Sequence, residues 1–270
     1  MDSRRHPTSE PDRALLAAFE RDGFVGPIDL LTAGEVADVR TAVADVIANL
    51  DRYRGDLYEV EMAHTERPEE VVCHFLGGFR VNDVLARLVR HRTATHLCAA
   101  LLRTERMRFF HDQVFAKPPG HPGVVPWHQD YSYWTRTAPA RHITINVMLD
   151  DADEASGCLQ FVRGSHRWPL LPMLPFDAPM DAVLEHIPAG APFEPVAVPL
   201  RAGQATIHHS HTLHGSGPNR SQRWRRAAVL NYMADGVCVV DDAEPLLRGV
   251  PRLPNGAPVA GPDFPLVYGG

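Results

Sequence analysis

The chain has 270 residues, a formal net charge of −6, 44% hydrophobic and 22% charged residues. That size suits one large domain or two small ones, with enough apolar residues for a sizeable core, and it excludes disorder as the main state. The acidic balance speaks against non-specific nucleic-acid binding, and no apolar run approaches the ~18–20 residues of a membrane span.

The start, Met1 to Glu10, is polar and carries no secretory apolar stretch. Pro11 to Asp22 reads as a helix stopping at Gly23. A second helix opens at Thr32-Ala-Gly-Glu35, a capping box in which hydroxyl and carboxylate take up free amides. Val36, Val39, Val43, Val46, Ile47 and Leu50 recur at helical spacing on its core-facing side. Residues 53–80 read as a long loop, and Asn82 to Leu102 as one or two further helices. Cys73, Cys98, Cys158 and Cys238 form no C-x-x-C, which argues against a disulfide scaffold or a zinc knuckle and suits a reducing cytoplasm.

From Arg108 the period changes to that of strands. Arg141 to Leu149 alternates, with Ile143, Ile145, Val147 and Leu149 on one face and His142, Thr144, Asn146 and Met148 on the other. One face meets a core and the other is offered to a cavity. Short apolar segments at Cys158–Val162, Val196–Val198, Ala205–His208 and Ala227–Met233, separated by turn residues, suggest a β-sandwich or barrel. Segment 167–195 is proline-rich and irregular, and Ala234 to Gly270 reads as an extended tail.

Two stretches carry chemistry. His128-Gln129-Asp130 places an imidazole and a carboxylate on the same side of an extended chain, although about one H-x-D arises by chance in such a composition. The second, His208 to Gly217, holds four histidines and by itself reads equally well as a solvated turn. Together they propose a metal centre, with His128, Asp130 and His214 occupying one face of an octahedron as in the facial triad of non-haem Fe(II) oxygenases. Arg225, eleven residues beyond His214, offers a planar, permanently charged fork for the far carboxylate of a bidentate 2-oxo acid. A zinc hydrolase or isomerase on the same triad, or a non-catalytic protein, would have no evident need for Arg225. His209 and His211 have the opposite strand parity to His208 and read as packing groups. His111 could face a cavity, His64-Thr65-Glu66 reads as surface, and Tyr131, Tyr133 and Trp134 could line a substrate mouth.

The segments W-H-Q-D-Y-S-Y-W from Trp127, G-C-L-Q-F-V-R-G-S-H-R-W from Gly157 and H-G-S-G-x-N-R-S-x(3)-R from His214 to Arg225 resemble the phytanoyl-CoA dioxygenase family of Fe(II)/2-oxoglutarate oxygenases. The resemblance runs in order over most of residues 12–235 and includes F-x-x-D-G-F at Phe19–Phe24. It implies a mainly β fold with flanking helices: a double-stranded β-helix, or jelly-roll, core with the N-terminal helices packed outside. The implied organisation is a single domain over 1–270, with 1–10 disordered, 11–107 mostly helical, 108–234 the core and 235–270 an extended tail.

By the same resemblance His128, Asp130 and His214 are the iron ligands. Arg225 pairs with the distal carboxylate of 2-oxoglutarate, Ser216 is the hydroxyl beside it, and Gln113 faces the co-substrate. Asn146 and Trp134 line that pocket, and Thr144 shares Asn146's face. Fe(II) is the implied cofactor, 2-oxoglutarate and O2 the co-substrates, and ascorbate a useful addition in vitro. The reaction is oxidation of a C–H bond, with hydroxylation the default and desaturation, cyclisation or epimerisation open to the same ligands; the carboxylate of Asp130 disfavours halogenation. The expected partner is a small molecule, with no nucleic acid or membrane. The chain is expected to act as a monomer or homodimer in the cytoplasm. Its arginine- and proline-rich composition, with Lys117 the only lysine, hints at a high-GC bacterial genome and leaves no lysine cluster for a coenzyme A tail; the resemblance then implies a secondary-metabolite substrate, since many members of the family in such organisms tailor these molecules.

Overall fold

The structure, a computed structural model, describes residues 12–270, so the expectation for residues 1–10 lies outside the described residues. The chain opens with α1 (Arg13–Asp22), β1 (Phe24–Asp29), α2 (Ala33–Ala48), α3 (Leu50–Tyr53), β2 (Glu59–Val60), α4 (Met62–Glu66), β3 (Cys73–Leu76), α5 (Asp83–Leu88) and α6 (Arg92–Leu101). Strands follow: β4 (Met107–Lys117), β5 (Val125–His128), β6 (Thr137–Ala138), β7 (His142–Met148), β8 (Leu159–Val162), β9 (Pro195–Ala197) and β10 (Gln204–His209). The last are β11 (His214–Ser216), β12 (Arg225–Ala234), β13 (Cys238–Val239) and β14 (Leu266–Tyr268).

Local chemistry accounts for the helix ends. The Asp12 side chain accepts from Ala14 N at the start of α1, and Gly23 closes that helix at φ 85°, where a side chain would be strained. The capping box of α2 is present, with Thr32 Oγ1 accepting from Glu35 N and the Glu35 carboxylate accepting from Thr32 N. The Asn82–Leu102 stretch is broken into two helices, α5 and α6.

The larger sheet has the order β1-β10-β7-β12-β4-β3-β2, with β14 also pairing β4; the smaller has the order β5-β11-β8-β9. All of these pairings are antiparallel. The two sheets form a double-stranded β-helix of the cupin-like kind. Between them Phe24, Met148, Ala227 and Val229 pack on Leu159 and Phe161, with the rings of Phe24 and Phe161 stacked at 4.5 Å. The outer face of the larger sheet buries Ile143, Ile145, Val147, Ala228 and Leu230 against Val39, Val43 and Val46 of α2, Leu85 and Leu88 of α5, and Ala94 and Cys98 of α6. The alternation read in 141–149 thus separates a helix-facing side from an interior side.

Three expectations need correction. Residues 53–80 are not a loop: β2 and β3 extend the edge of the larger sheet through β4, and α4 lies between them. Phe24–Asp29 is a strand paired with β10; the isolated Gly26 and Pro27 disguise it, since both interrupt a strand pattern. The part before residue 108 is therefore not only a helical layer, because it supplies β1, β2 and β3. The tail is only partly extended without pairing, since β13 pairs β6 and β14 pairs β4.

Candidate metal centre and its cavities

The smaller sheet sets the two imidazoles side by side. His214 on β11 is the register partner of His128 at the end of β5, and their rings lie 4.2 Å apart, centroid to centroid. His128 Nδ1 lies 2.8 Å from Pro126 O and His214 Nδ1 lies 2.9 Å from Thr212 O. Each Nδ1–H donates to a carbonyl, which fixes the tautomer and leaves the Nε2 lone pair for a ligand. Asp130, in the turn after β5, brings Oδ1 to 3.5 Å from His128 Nε2 and 3.7 Å from His214 Nε2. One potential ligand atom from each of the three lies within 4.8 Å of the others, and among the described residues this is the one group of three or more so placed.

Burial sets the charge states. It holds His214 well below the usual imidazole range, with neighbouring His128 and His208 acting the same way, so the ring is neutral and able to ligate. Burial alone would raise the Asp130 pKa, but the surrounding imidazoles of His214, His128 and His208 outweigh it and keep the group a carboxylate. Two imidazole nitrogens and one carboxylate oxygen suit a divalent first-row ion with open positions.

Behind the triad is a narrow pocket of about 40 Å³ lined by residues that include Gln113, Asn146, Ser216 and Arg225. Arg225 is 1% exposed, and its Nε and Nη2 have no hydrogen-bond partner. Burial lowers its pKa to about 10, partly offset by Cys158 and Asp150, so it stays a cation at neutral pH. An unpartnered buried guanidinium beside a candidate metal site fits the carboxylate of a chelating 2-oxo acid. Ser216 Oγ donates to Gly157 O at 2.7 Å and accepts from Lys117 Nζ at 2.8 Å, so its own proton is already engaged. Asn146 faces this pocket, with Nδ2 3.6 Å from Met148 Sδ.

A wider cavity of about 270 Å³ opens beside it, and Gln113, Phe115, Val125, His128 and Asp130 line both. Gln113 Oε1 lies 2.9 Å from His74 Nε2, and His74 is stacked between Phe115 at 4.4 Å and Phe176 at 4.7 Å. Trp134 belongs to this outer cavity with Phe110, His111 and Tyr133, and does not line the pocket beside Arg225. Glu59, His74 and Leu76 from the 53–80 region and Phe176 from the proline-rich segment contribute walls, and the tail adds Leu246 and Leu247. His209 and His211 pack away from the triad, His211 stacking on Tyr131 at 5.0 Å and His209 tilting against Phe19 at 6.5 Å. His64 sits in α4 with Nδ1 2.8 Å from Val71 O.

Four contributing residues were given no role in the site from sequence. His208 is 1% exposed and brings Nε2 to 3.0 Å from Asp130 Oδ2; its strand parity, opposite to that of His209 and His211, was a usable signal. Lys117 is fully buried with Nζ donating to Ser216 O, Ser216 Oγ and Gly217 O, and its being the chain's sole lysine marked it out. Leu246 and Leu247 had no local signal at all.

A family model described as phytanoyl-CoA dioxygenase matches residues 19–227. A probable alpha-ketoglutarate-dependent hypophosphite dioxygenase from Stutzerimonas stutzeri is 30% identical over 176 residues, 61% of this chain and 56% of that protein. The chain thus aligns with little more than half the length of that relative. An ectoine dioxygenase from Bordetella parapertussis is 28% identical over 233 residues, 78% of this chain and 71% of that one. The crystal structure of the epimerase SnoN in complex with Fe3+, alpha ketoglutarate and nogalamycin RO is 26% identical, with a TM-score of 0.72 covering 94% of this chain and 98% of that one.

Proposed function

The chain belongs to the phytanoyl-CoA dioxygenase family of Fe(II)/2-oxoglutarate-dependent dioxygenases, and from that premise we propose that it oxidises an unactivated C–H bond of a small organic molecule, with hydroxylation as the outcome. The observation that carries this reading is the convergence of His128, Asp130 and His214 ligand atoms within 4.8 Å, with the unpartnered Arg225 guanidinium in the pocket behind. Bound there, Fe(II), 2-oxoglutarate and O2 supply the oxidising power, giving succinate, CO2 and the oxidised product.

The protein's own part is placement. His128 and His214 offer Nε2 and Asp130 offers Oδ1, all three on one side. Arg225 takes the distal carboxylate of the 2-oxo acid through Nε and Nη2, with Gln113, Asn146 and Ser216 around it. The outer cavity receives the substrate; Phe110, Trp134, Leu76 and Leu246 exclude water and hold an apolar body against the metal side, where His128 and Asp130 form the floor. This aromatic cavity and the likeness to SnoN support a natural-product scaffold, in secondary metabolism such as antibiotic biosynthesis, as the substrate.

The test is succinate formation from 2-oxoglutarate under Fe(II), ascorbate and O2, with His214→Ala as control. The expected result is turnover that needs Fe(II) and O2, is helped by ascorbate, and is lost in the variant. Turnover indifferent to 2-oxoglutarate, or activity supported by zinc without O2, would replace the reading with a metal-dependent hydrolase or isomerase.

A further inference from the structure

Four polar side chains form one lateral row across the interior of the larger sheet. His208 on β10 is the register partner of Thr144 on β7, Thr144 of Asn231 on β12, and Asn231 of His111 on β4. Directly opposed residues of paired strands share a face. None of the four is more than 2% exposed. The row meets Asp130 at two points, with Thr144 Oγ1 2.6 Å and His208 Nε2 3.0 Å from the same oxygen, Oδ2.

The proton count gives this row a direction. A carboxylate only accepts, so His208 carries its hydrogen on Nε2 and Thr144 gives Asp130 its single hydroxyl proton. With Asn231 Oδ1 toward Thr144 at 2.9 Å, that one proton would face two acceptors, while Nδ2 would donate to His111 Nδ1 at 3.2 Å. With the amide turned over, Asn231 donates to Thr144 and accepts from His111 Nδ1–H, and every proton has one acceptor. Donation then runs one way, from His111 on the wall of the outer cavity through Asn231 and Thr144 to Asp130.

We propose that Thr144 and His208 are positioning residues that grip Oδ2 of Asp130 and so hold the carboxylate with Oδ1 turned toward the two imidazoles, arranging the ligand set before a metal ion arrives. The inference rests on the triad being the metal site. Oδ1 is the oxygen that faces both Nε2 atoms, and a carboxylate free to rotate would have to be reordered each time an ion binds, at a cost in affinity. Asn231 and His111 act behind Thr144 by fixing the direction in which its hydroxyl points.

The experiment is calorimetric titration of the full chain with Mn(II), beside thermal melting of the metal-free protein. Thr144→Val keeps the shape and loses the hydroxyl; His208→Phe keeps the ring and loses the donor. Each is expected to weaken Mn(II) binding about 10- to 100-fold, the usual effect of removing a group that orients a ligand. Thr144→Ser and His208→Gln, which restore a donor, are expected to recover most of that loss. Folded Thr144→Val and His208→Phe variants that bind Mn(II) as the parent does would overturn the proposal, as would failure of both restoring variants. Should the valine variant not fold, the His208 pair decides. A parent chain that neither binds Mn(II) nor converts 2-oxoglutarate would instead sink the functional reading itself.

Discussion

Lys117 and Arg225 stand opposite each other in register on β4 and β12, and among the described residues neither has a carboxylate within 4 Å. Two buried basic groups side by side are costly to keep unless an anion completes them. Lys117 is satisfied by three acceptors from Ser216 and Gly217, whereas Arg225 keeps Nε and Nη2 free. Burial and then the Arg225 charge pull the Lys117 pKa well below its ordinary value, so the guanidinium is the dependable cation of the pair.

It follows that Arg225→Lys should raise the KM for 2-oxoglutarate at least about tenfold, because an ammonium cannot reproduce a two-pronged contact. Mn(II) affinity should change little. Titrating the decarboxylation rate against 2-oxoglutarate in both proteins measures the effect, and an unchanged KM would remove Arg225 from the co-substrate site.

Gly157 supports the same pocket from its backbone. Its φ is +75°, and a Cβ placed there would sit 2.3 Å from Gly217 O, while its own carbonyl accepts from Ser216 Oγ. Gly157→Ala therefore combines left-handed strain with a backbone clash and should cost more than about 1 kcal/mol of stability. Chemical denaturation reports this directly. A shift of Gly217 would also disturb the Lys117 contacts, so a rise in 2-oxoglutarate KM is expected in the folded fraction.

Acid should destabilise the metal-free protein in a defined window. Burial depresses His74 and His111 to about 4 and His142 to about 3, and it depresses His209 to about 4. Below the ordinary value near 6.5 the unfolded chain takes up protons at these four sites that the folded chain refuses, so stability is full above 6.5 and declines as pH falls toward 4. Asp112 works the other way, since burial raises it to about 7 and the folded chain binds that proton more tightly. Four groups outweigh one. Urea unfolding between pH 8 and 4.5 should show falling stability below about 6.5, and a flat profile would contradict it.

Arg136 clasps the tail to the cavity. Its Nε donates to Asp241 O at 3.3 Å, Nη1 to Pro245 O at 3.0 Å, and Nη2 to Glu244 O. Leu246 and Leu247, next in the chain, form part of the outer cavity wall. Removing the clasp in Arg136→Ala should accelerate hydrogen exchange across 241–247 while leaving Mn(II) binding intact. Exchange unchanged in that segment would mean that apolar packing alone holds it.

Much of the site was legible because its signals are local. The capping box at Thr32 and Glu35 involves residues three apart, and the two-residue period of 142–148 assigns Ile143 and Ile145 to one face and Thr144 and Asn146 to the other before any pairing is known. Motif order likewise nominated His128, Asp130, His214 and Arg225. What tertiary structure alone decided is which distant groups share a row or a wall. Strand register brings His208, Thr144, Asn231 and His111 into line and sets Lys117 opposite Arg225, and chain packing brings Leu246 into a cavity that His128 and Asp130 also line. The row and the Lys117–Arg225 pair depend on which strands pair and at what offset, and a shift of one residue would turn those strand side chains to the opposite face.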